Sequence, residues 1–240
     1  MGVKIDGRRL HHLRFAYDII LIKPNISQEE RMLANFDKAC GKIGVRLYLT
    51  TTMFMRNRLV SYAPFTLNGT NISECYSYAY LGRKINMLND LDPELSRRQQ
   101  AAWGAFKSVE EVVKRTKNTR LRAHLFDLTA LSALTYASKS WSLRKQDEKL
   151  LRVIECAVER TMLGVSRFTQ LGEGIRSSVL RQRSKIKNAV LYVKQSKIRW
   201  FGHAMRMNNN RWTRTASDWI SQDIKRTARR PPTGWSEFFT

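Results

Sequence analysis

Acidic residues are scarce in this 240-residue chain: 20 Asp and Glu stand against 43 Lys and Arg, a formal net charge of +23. A near-neutral globular surface is therefore excluded. Such a surplus repels itself unless a polyanion is the partner, which makes nucleic acid the first candidate and an anionic membrane surface the second. Long hydrophobic runs are missing as well. No stretch reaches the length of about eighteen apolar residues that a membrane span needs. No helical pattern joins a broad apolar face to flanking lysines in the manner of interfacial helices, so no membrane partner is expected. Cysteine is limited to Cys40, Cys75 and Cys156, odd in number and far apart. His11, His12, His124 and His203 complete no ligand set with them, which argues against a disulfide framework and a structural zinc. Reduced thiols point to an intracellular setting, nuclear or cytoplasmic. Glycosylation acceptors at Asn25, Asn68 and Asn71 are discounted, because no secretory route is visible. The start, Met1-Gly2-Val3-Lys4-Ile5-Asp6, is too polar for a signal peptide and reads straight into a strand, as if the chain begins in mid-domain.

What is present divides the chain. Residues 1–90 carry 13 Lys/Arg and 7 Asp/Glu, a net of +6, whereas residues 91–240 carry 30 and 13, a net of +17. The first ninety residues read as α+β. Two apolar runs, 10–15 and 19–22, flank an acidic turn at Phe15-Ala16-Tyr17-Asp18, the pattern of a hairpin. Ser27-Gln28-Glu29-Glu30 reads as a capping box that opens a helix to about Ile43, with Gly44 ending it. Residues 45–49 and 53–56 read as strand pieces, and 65–67 and 72–80 as a hairpin about Asn68-Gly69.

The remainder reads as helical. Asp92-Pro93 reads as an N-cap and first-turn proline, with Leu95, Ala102, Phe106, Val109 and Val113 on one face. A second helix over about 120–138 is expected to bury Leu121, Leu125, Leu128, Leu131 and Leu134. A third over about 145–163 carries Leu150, Leu151, Ile154, Ala157, Val158 and Met162. Short connectors such as Lys117-Asn118-Thr119 favour an antiparallel bundle. Beyond a glycine-bearing link at 171–174, basic helices are expected over about 177–207 and 211–220, then a basic tail over 225–232. Arg199, His203 and Arg206 share one helical face at i, i+4 and i+7. Leu191, Ile198, Phe201 and Met205 form a separate apolar stripe. Trp200, Trp212, Trp219 and Trp235 suit either base stacking or helix packing.

In order, these features resemble the distal half of a non-LTR retrotransposon reverse transcriptase, most like the RTE clade. Leu13-Arg14-Phe15-Ala16-Tyr17-Asp18-Ile19-Ile20-Leu21-Ile22 is similar to the catalytic palm hairpin, whose tip in the family reads Phe-Ala-Asp-Asp. Gly44-Val45-Arg46-Leu47-Tyr48-Leu49-Thr50-Thr51-Thr52-Met53 resembles the next palm motif, and Tyr80-Leu81-Gly82 the primer-grip turn. Ala101-Ala102-Trp103 and Leu121-Arg122-Ala123-His124-Leu125-Phe126 resemble the thumb. Arg199-Trp200-Phe201-Gly202-His203 and Arg229-Arg230-Pro231-Pro232-Thr233-Gly234-Trp235 resemble the C-terminal region. The resemblance implies a truncated palm over 1–90, a helical thumb over 91–170 and a basic connector and tail over 171–240. The fold class is then α+β, with a partial antiparallel palm sheet and one helix preceding an all-α bundle.

The departures from the pattern bear on activity. The family binds Mg²⁺ through an upstream aspartate, expected before residue 1, and through the first Asp of the hairpin. Here the second position is Tyr17, a phenol that is neutral at pH 7, where Mg²⁺ requires anionic oxygens. Asp18 is the residual carboxylate and the only remaining metal donor of the motif. Thr51 stands at the family's lysine and Tyr48 at its asparagine. The resemblance therefore implies an RNA-directed DNA polymerase remnant that binds no Mg²⁺ productively and is catalytically inactive. The alternative is a non-enzymatic RNA- or DNA-binding module using the same surfaces. RNA and DNA are the expected partners in either case, with Tyr80, Gly82, Arg97, Arg98, Arg199, His203, Arg206, Arg229 and Arg230 as the expected contacts.

Overall fold

Among the described residues strands are confined to the first ninety positions, which also hold one helix, and the rest is helical, so the chain separates accordingly. The computed structural model describes residues 3–5, 8–57, 61 and 63–207. The described residues form two compact units, one through Asp90 and one from Leu91 onward.

In the first unit the strands pair in twos, where one partial sheet was expected. β1 (Val3–Ile5) pairs with β2 (Arg8–Leu10), and β3 (His12–Phe15) with β4 (Asp18–Leu21), both antiparallel. The apolar run 10–15 is thus divided between two hairpins. α1 (Ile26–Lys42) follows. Its cap is Asn25, whose side chain accepts from the Gln28 N–H at 2.9 Å. The capping box expected at Ser27 is not the start: the helix begins earlier, so Ser27 already lies in the first turn. Glu30, freed from capping, accepts instead from the Thr66 N–H (2.9 Å) and hydroxyl (3.3 Å). Gly44, at φ +75°, reverses the chain after the helix. Residues 45–49 form no strand. Their end is a turn in which the Thr51 and Thr52 N–H groups both donate to the Tyr48 carbonyl.

β5 (Met53–Phe54) runs parallel to β8 (Ser73–Glu74). β6 (Thr66–Leu67) and β7 (Thr70–Asn71) form the hairpin expected about Asn68-Gly69. Both turn residues have positive φ, +49° and +79°, as a two-residue turn matching strand twist requires. The run 72–80 is broken by a bend, and β9 (Ser77–Tyr80) pairs with β10 (Arg83–Asn86). That last strand was unread in the sequence, because Arg83-Lys84-Ile85-Asn86 lacks alternation of strongly apolar residues. The core of this unit is small: Leu33, Phe65, Leu67 and Ile72 are buried, with Leu21, Ile26, Leu47, Leu49 and Phe54 packed against them.

From Leu91 the described residues hold helices and no strand. α2 (Asp92–Arg115) starts one residue earlier than read, with Leu91 at the cap position and Asp92 inside the first turn. Asn118 caps α3 (Thr119–Phe126), accepting from Arg120 and Leu121. A π-turn over Asp127–Leu131 leads into α4 (Ser132–Leu134), and a 3₁₀ turn spans Ser138–Ser140. The single long helix over 120–138 is therefore interrupted. The wider π-turn rotates the inward face, so Ala123, Phe126, Ala130, Leu131 and Leu134 are buried whereas Leu121 and Leu128 are exposed. α5 (Lys145–Leu163) has the expected bounds. α6 (Arg167–Gly172), α7 (Ser177–Ser184) and α8 (Ala189–Met205) follow. The helix read over 177–207 breaks at Lys185, whose φ is +57°, and restarts on an Asn188 cap.

One core of nineteen buried residues runs through this unit, from Leu91 and Leu95 to Ile186, Ala189, Val190 and Val193, and so continues past residue 170. The inward stripe of α8 is Ala189, Val190, Val193, Ser196, Lys197 and Ala204. The more apolar stripe at Leu191, Ile198 and Met205 is exposed. The expected helix over 211–220, the tail and Trp212, Trp219 and Trp235 lie outside the described residues.

Candidate functional site

The β3–β4 hairpin places its acidic tip as the sequence implied. Phe15 pairs with Asp18 across a turn of Ala16 and Tyr17, with Ala16 at φ +51°. Tyr17 is 91 % exposed, and Asp18 is half-buried. Burial and then the negative charge of Asp18 push the Tyr80 phenol above its ordinary range. Gly82 completes the β9–β10 turn at φ +79°, after Leu81 at +46°. Thr51 is exposed, with its N–H and hydroxyl both donating to the Tyr48 carbonyl (3.2 and 3.1 Å). The hairpin tip thus offers one carboxylate and one neutral phenol, a donor set that does not fit Mg²⁺. Among the described residues no three His, Cys, Asp or Glu side chains gather as a metal site.

In the helical unit the basic candidates separate into two kinds. Glu94 is buried and holds two arginines: Arg97 through three contacts of 2.9–3.0 Å, and Arg98 through its Nε at 2.7 Å. Arg98 is only 7 % exposed, so it is not the surface contact expected of it. Its guanidinium lies over the Tyr136 ring, 4.7 Å from the centroid, where a cation is attracted to the ring face. Arg199, His203 and Arg206 are all exposed. Arg199 donates to the Ser196 hydroxyl at 3.2 Å, and Arg206 forms the cap just past α8. Arg229 and Arg230 lie outside the described residues.

Sequence reasoning missed the corner between α4 and α5. The π-turn is followed within a few residues by Ala137 at φ +59°. Neither feature is favoured locally, and both gather at functional sites. Hydroxyls stabilise the irregular backbone: Thr129 donates to the Leu125 carbonyl (2.7 Å), Ser132 to Asp127 (3.0 Å) and Thr135 to Leu131 (2.7 Å). The exit is anchored from α8, where the buried Lys197 ammonium donates to the Trp141 carbonyl at 3.0 Å. A cavity of about 300 Å³ opens at this corner, lined by Ser132, Thr135, Tyr136, Ser138, Lys139, Tyr192 and Ser196. Arg98 and Arg199 flank it, one through Tyr136 and the other through Ser196. A lysine on the inward stripe of α8 was the available sequence signal, hidden because the other stripe looked more apolar.

A second missed feature is the link between α7 and α8. Ser184 and Ile186 point inward, while Arg183, Lys185 and Lys187 point outward. Buried carboxylates of α5 fix this alternation. Glu159 accepts from Ser184 (3.1 Å) and Arg181 (3.2 Å), and Glu155 from the Ala189 N–H (3.0 Å). Arg181 also reaches Glu155 at 2.7 Å. Desolvation raises the Glu155 carboxyl above its usual range, against the pull of the Ala189 N–H and Arg181. Asp127 accepts from the Lys187 N–H at 3.2 Å. The burial of acids has a wider effect. Residues 91–207 contain 24 Lys/Arg and 10 Asp/Glu; four of those acids are buried (Glu94, Asp147, Glu155, Glu159) but only two of the bases (Arg98, Lys197). The exposed face of this unit is therefore more one-sidedly positive than its composition.

No helix among the described residues is long and apolar enough to cross a membrane. The thiols of Cys40, Cys75 and Cys156 are free, and burial pushes those of Cys75 and Cys156 up. No protein-family model matches the chain, and no solved structure does. A transposon-derived protein of Caenorhabditis elegans is 31 % identical over 239 residues, covering 98 % of this chain and 86 % of the nematode protein. Identity sustained across both units in this way shows that the chain belongs to a family of transposon-derived proteins.

Proposed function

We propose that the chain is a catalytically silent remnant of a retroelement RNA-directed DNA polymerase, of the RTE-like non-LTR kind, that retains nucleic-acid binding. Residues 1–90 correspond in this reading to the end of the palm, and the helical unit to thumb and connector. The observation that carries the binding is the excess of exposed cations over residues 91–207, sharpened by four buried acids. Phosphates are the counter-charge such a surface suits, and contacts of that kind position the chain without reading bases. The hairpin geometry at Phe15 to Asp18 supports the reading, as does a transposon-derived relative. The silence follows from the donors at the hairpin tip: Tyr17 supplies no anionic oxygen, and Mg²⁺-dependent polymerases need two ions to activate the primer hydroxyl and hold the leaving phosphate.

Fluorescence anisotropy against salt tests the binding. With on the order of five phosphate contacts to a single strand, a tenfold rise in salt should cost roughly three decades of affinity. Arg199→Ala with Arg206→Ala should flatten that slope and weaken all sequences alike. Affinity indifferent to salt would overturn the reading. Primer extension on RNA or DNA templates with Mg²⁺ or Mn²⁺ should give no product, and Tyr17→Asp alone should not restore it.

A further inference from the structure

We propose that the cavity at the α4–α5 corner is a pocket for one unpaired base of a single-stranded nucleic acid, stacked on Tyr136. The inference rests on the nucleic-acid reading above and specifies what that surface takes. Tyr136 is 58 % exposed although its ring already carries the Arg98 guanidinium. A cation fixed against a tyrosine, and itself fixed by Glu94, holds the ring in place as a platform. Every base has a π-face, so stacking on such a platform is tolerant of sequence and requires strand separation. The volume of about 300 Å³ falls at the lower end of pockets that enclose small organic ligands. That is room for one base with its sugar. Hydroxyls of Ser132, Ser138, Tyr192 and Ser196 line the walls; with Ser132 donating to Asp127 and Ser196 accepting from Arg199, the set still offers both acceptors and donors, which matches polar base edges without selecting one. Lys139 in the lining and Arg199 at Ser196 put positive charge at the mouth, where the adjoining phosphates of an everted nucleotide would run.

The irregular backbone has a role in this account. Left-handed Ala137 ends the helical run just after Tyr136, which stays exposed between the buried Thr135 and Ser138.

The test compares single strands with duplexes of the same sequence, in RNA and DNA forms, using the full chain and anisotropy. Tyr136→Ala should weaken single-strand binding roughly five- to hundredfold, the range given by loss of one stacked base, and leave duplex affinity unchanged. Tyr136→Phe should restore single-strand binding. A second measurement needs no variant: oligo-dT carrying 2-aminopurine at alternate positions should lose fluorescence on binding as the analogue stacks. Equal losses for duplex and single strand in Tyr136→Ala would overturn the pocket and assign Tyr136 a structural role. So would unaltered 2-aminopurine emission at saturation. Either result with salt-dependent binding intact refutes the pocket alone, whereas absence of binding to every nucleic acid removes the underlying reading as well.

Discussion

The first ninety residues are the more apolar, 43 of 90 against 59 of 150, yet the two units hold their apolar residues differently. Among the described residues through Asp90, five two-stranded ladders and one helix bury a cluster of four residues, with single polar links such as Glu30 to Thr66 between elements. From Leu91, helices bury a cluster of nineteen, and the polar links are buried networks such as Glu155–Arg181–Glu159. At roughly 1.5–3 kcal/mol for each large apolar side chain buried, the difference favours the helical unit decisively. A two-stranded ladder is at best marginal alone, because both its edges lack partners. In the proposed reading function divides along the same line: the first unit carries the altered hairpin, and the second carries the basic surface.

The comparison is most directly broken through the cores. Limited proteolysis should degrade residues 1–90 first and leave a helical fragment beginning near Leu91; survival of the first unit instead would reverse the ranking. Phe106→Ala should cost about 3–5 kcal/mol, measured by urea unfolding of that fragment, and abolish its resistance. Next in size is the α5–α7 network. Glu159→Ala removes one acceptor from Arg181, which keeps Glu155 at 2.7 Å, and one from the Ser184 hydroxyl, which keeps the Arg181 carbonyl at 3.1 Å. It should cost about 2–3 kcal/mol, below the 3–5 of fully buried pairs because Arg181 is 31 % exposed. The same change should loosen the Arg183–Lys187 ridge and reduce nucleic-acid affinity, which a Phe65→Ala change in the first unit should not do.

Acidity sharpens the contrast at smaller amplitude. In the first unit, burial pushes the Glu29 carboxyl up to about 7, against the opposing charge of Lys23. A raised folded-state value means that the folded chain keeps a proton the unfolded chain has released. This contribution is intact below about 4.5 and is lost as pH rises toward about 7. Hydrogen exchange of α1 should therefore quicken between pH 5 and pH 7.5 once corrected for intrinsic rates, and Glu29→Gln should remove the trend. Glu155 shifts in the same direction in the helical unit. The smallest expected effects are local. Gly69→Ala, forced into φ +79°, and Asn25→Ala, which loses the α1 cap, should each cost about 1 kcal/mol and alter only the melting of the first unit.

Much of this was legible in residues 1–240 as a string. Charge asymmetry located the basic half, Asn68-Gly69 located a turn, and the leucine-rich period of α5 gave that helix its bounds. Features set by short-range geometry and composition are of this kind, because each depends on a few neighbouring residues. Tertiary packing decided the rest. Whether Leu191 or Val193 faces inward depends on how closely α8 lies against α5, which hydropathy does not encode. Arg98 is one of many arginines until Glu94 and Tyr136 enclose it. Burying Glu94, Asp147, Glu155 and Glu159 while leaving most cations outside is equally invisible to a net-charge count. The cavity beside Tyr136 forms where a π-turn and a left-handed alanine interrupt the helix, and the exit of that corner is held at the Trp141 carbonyl by Lys197, distant in sequence.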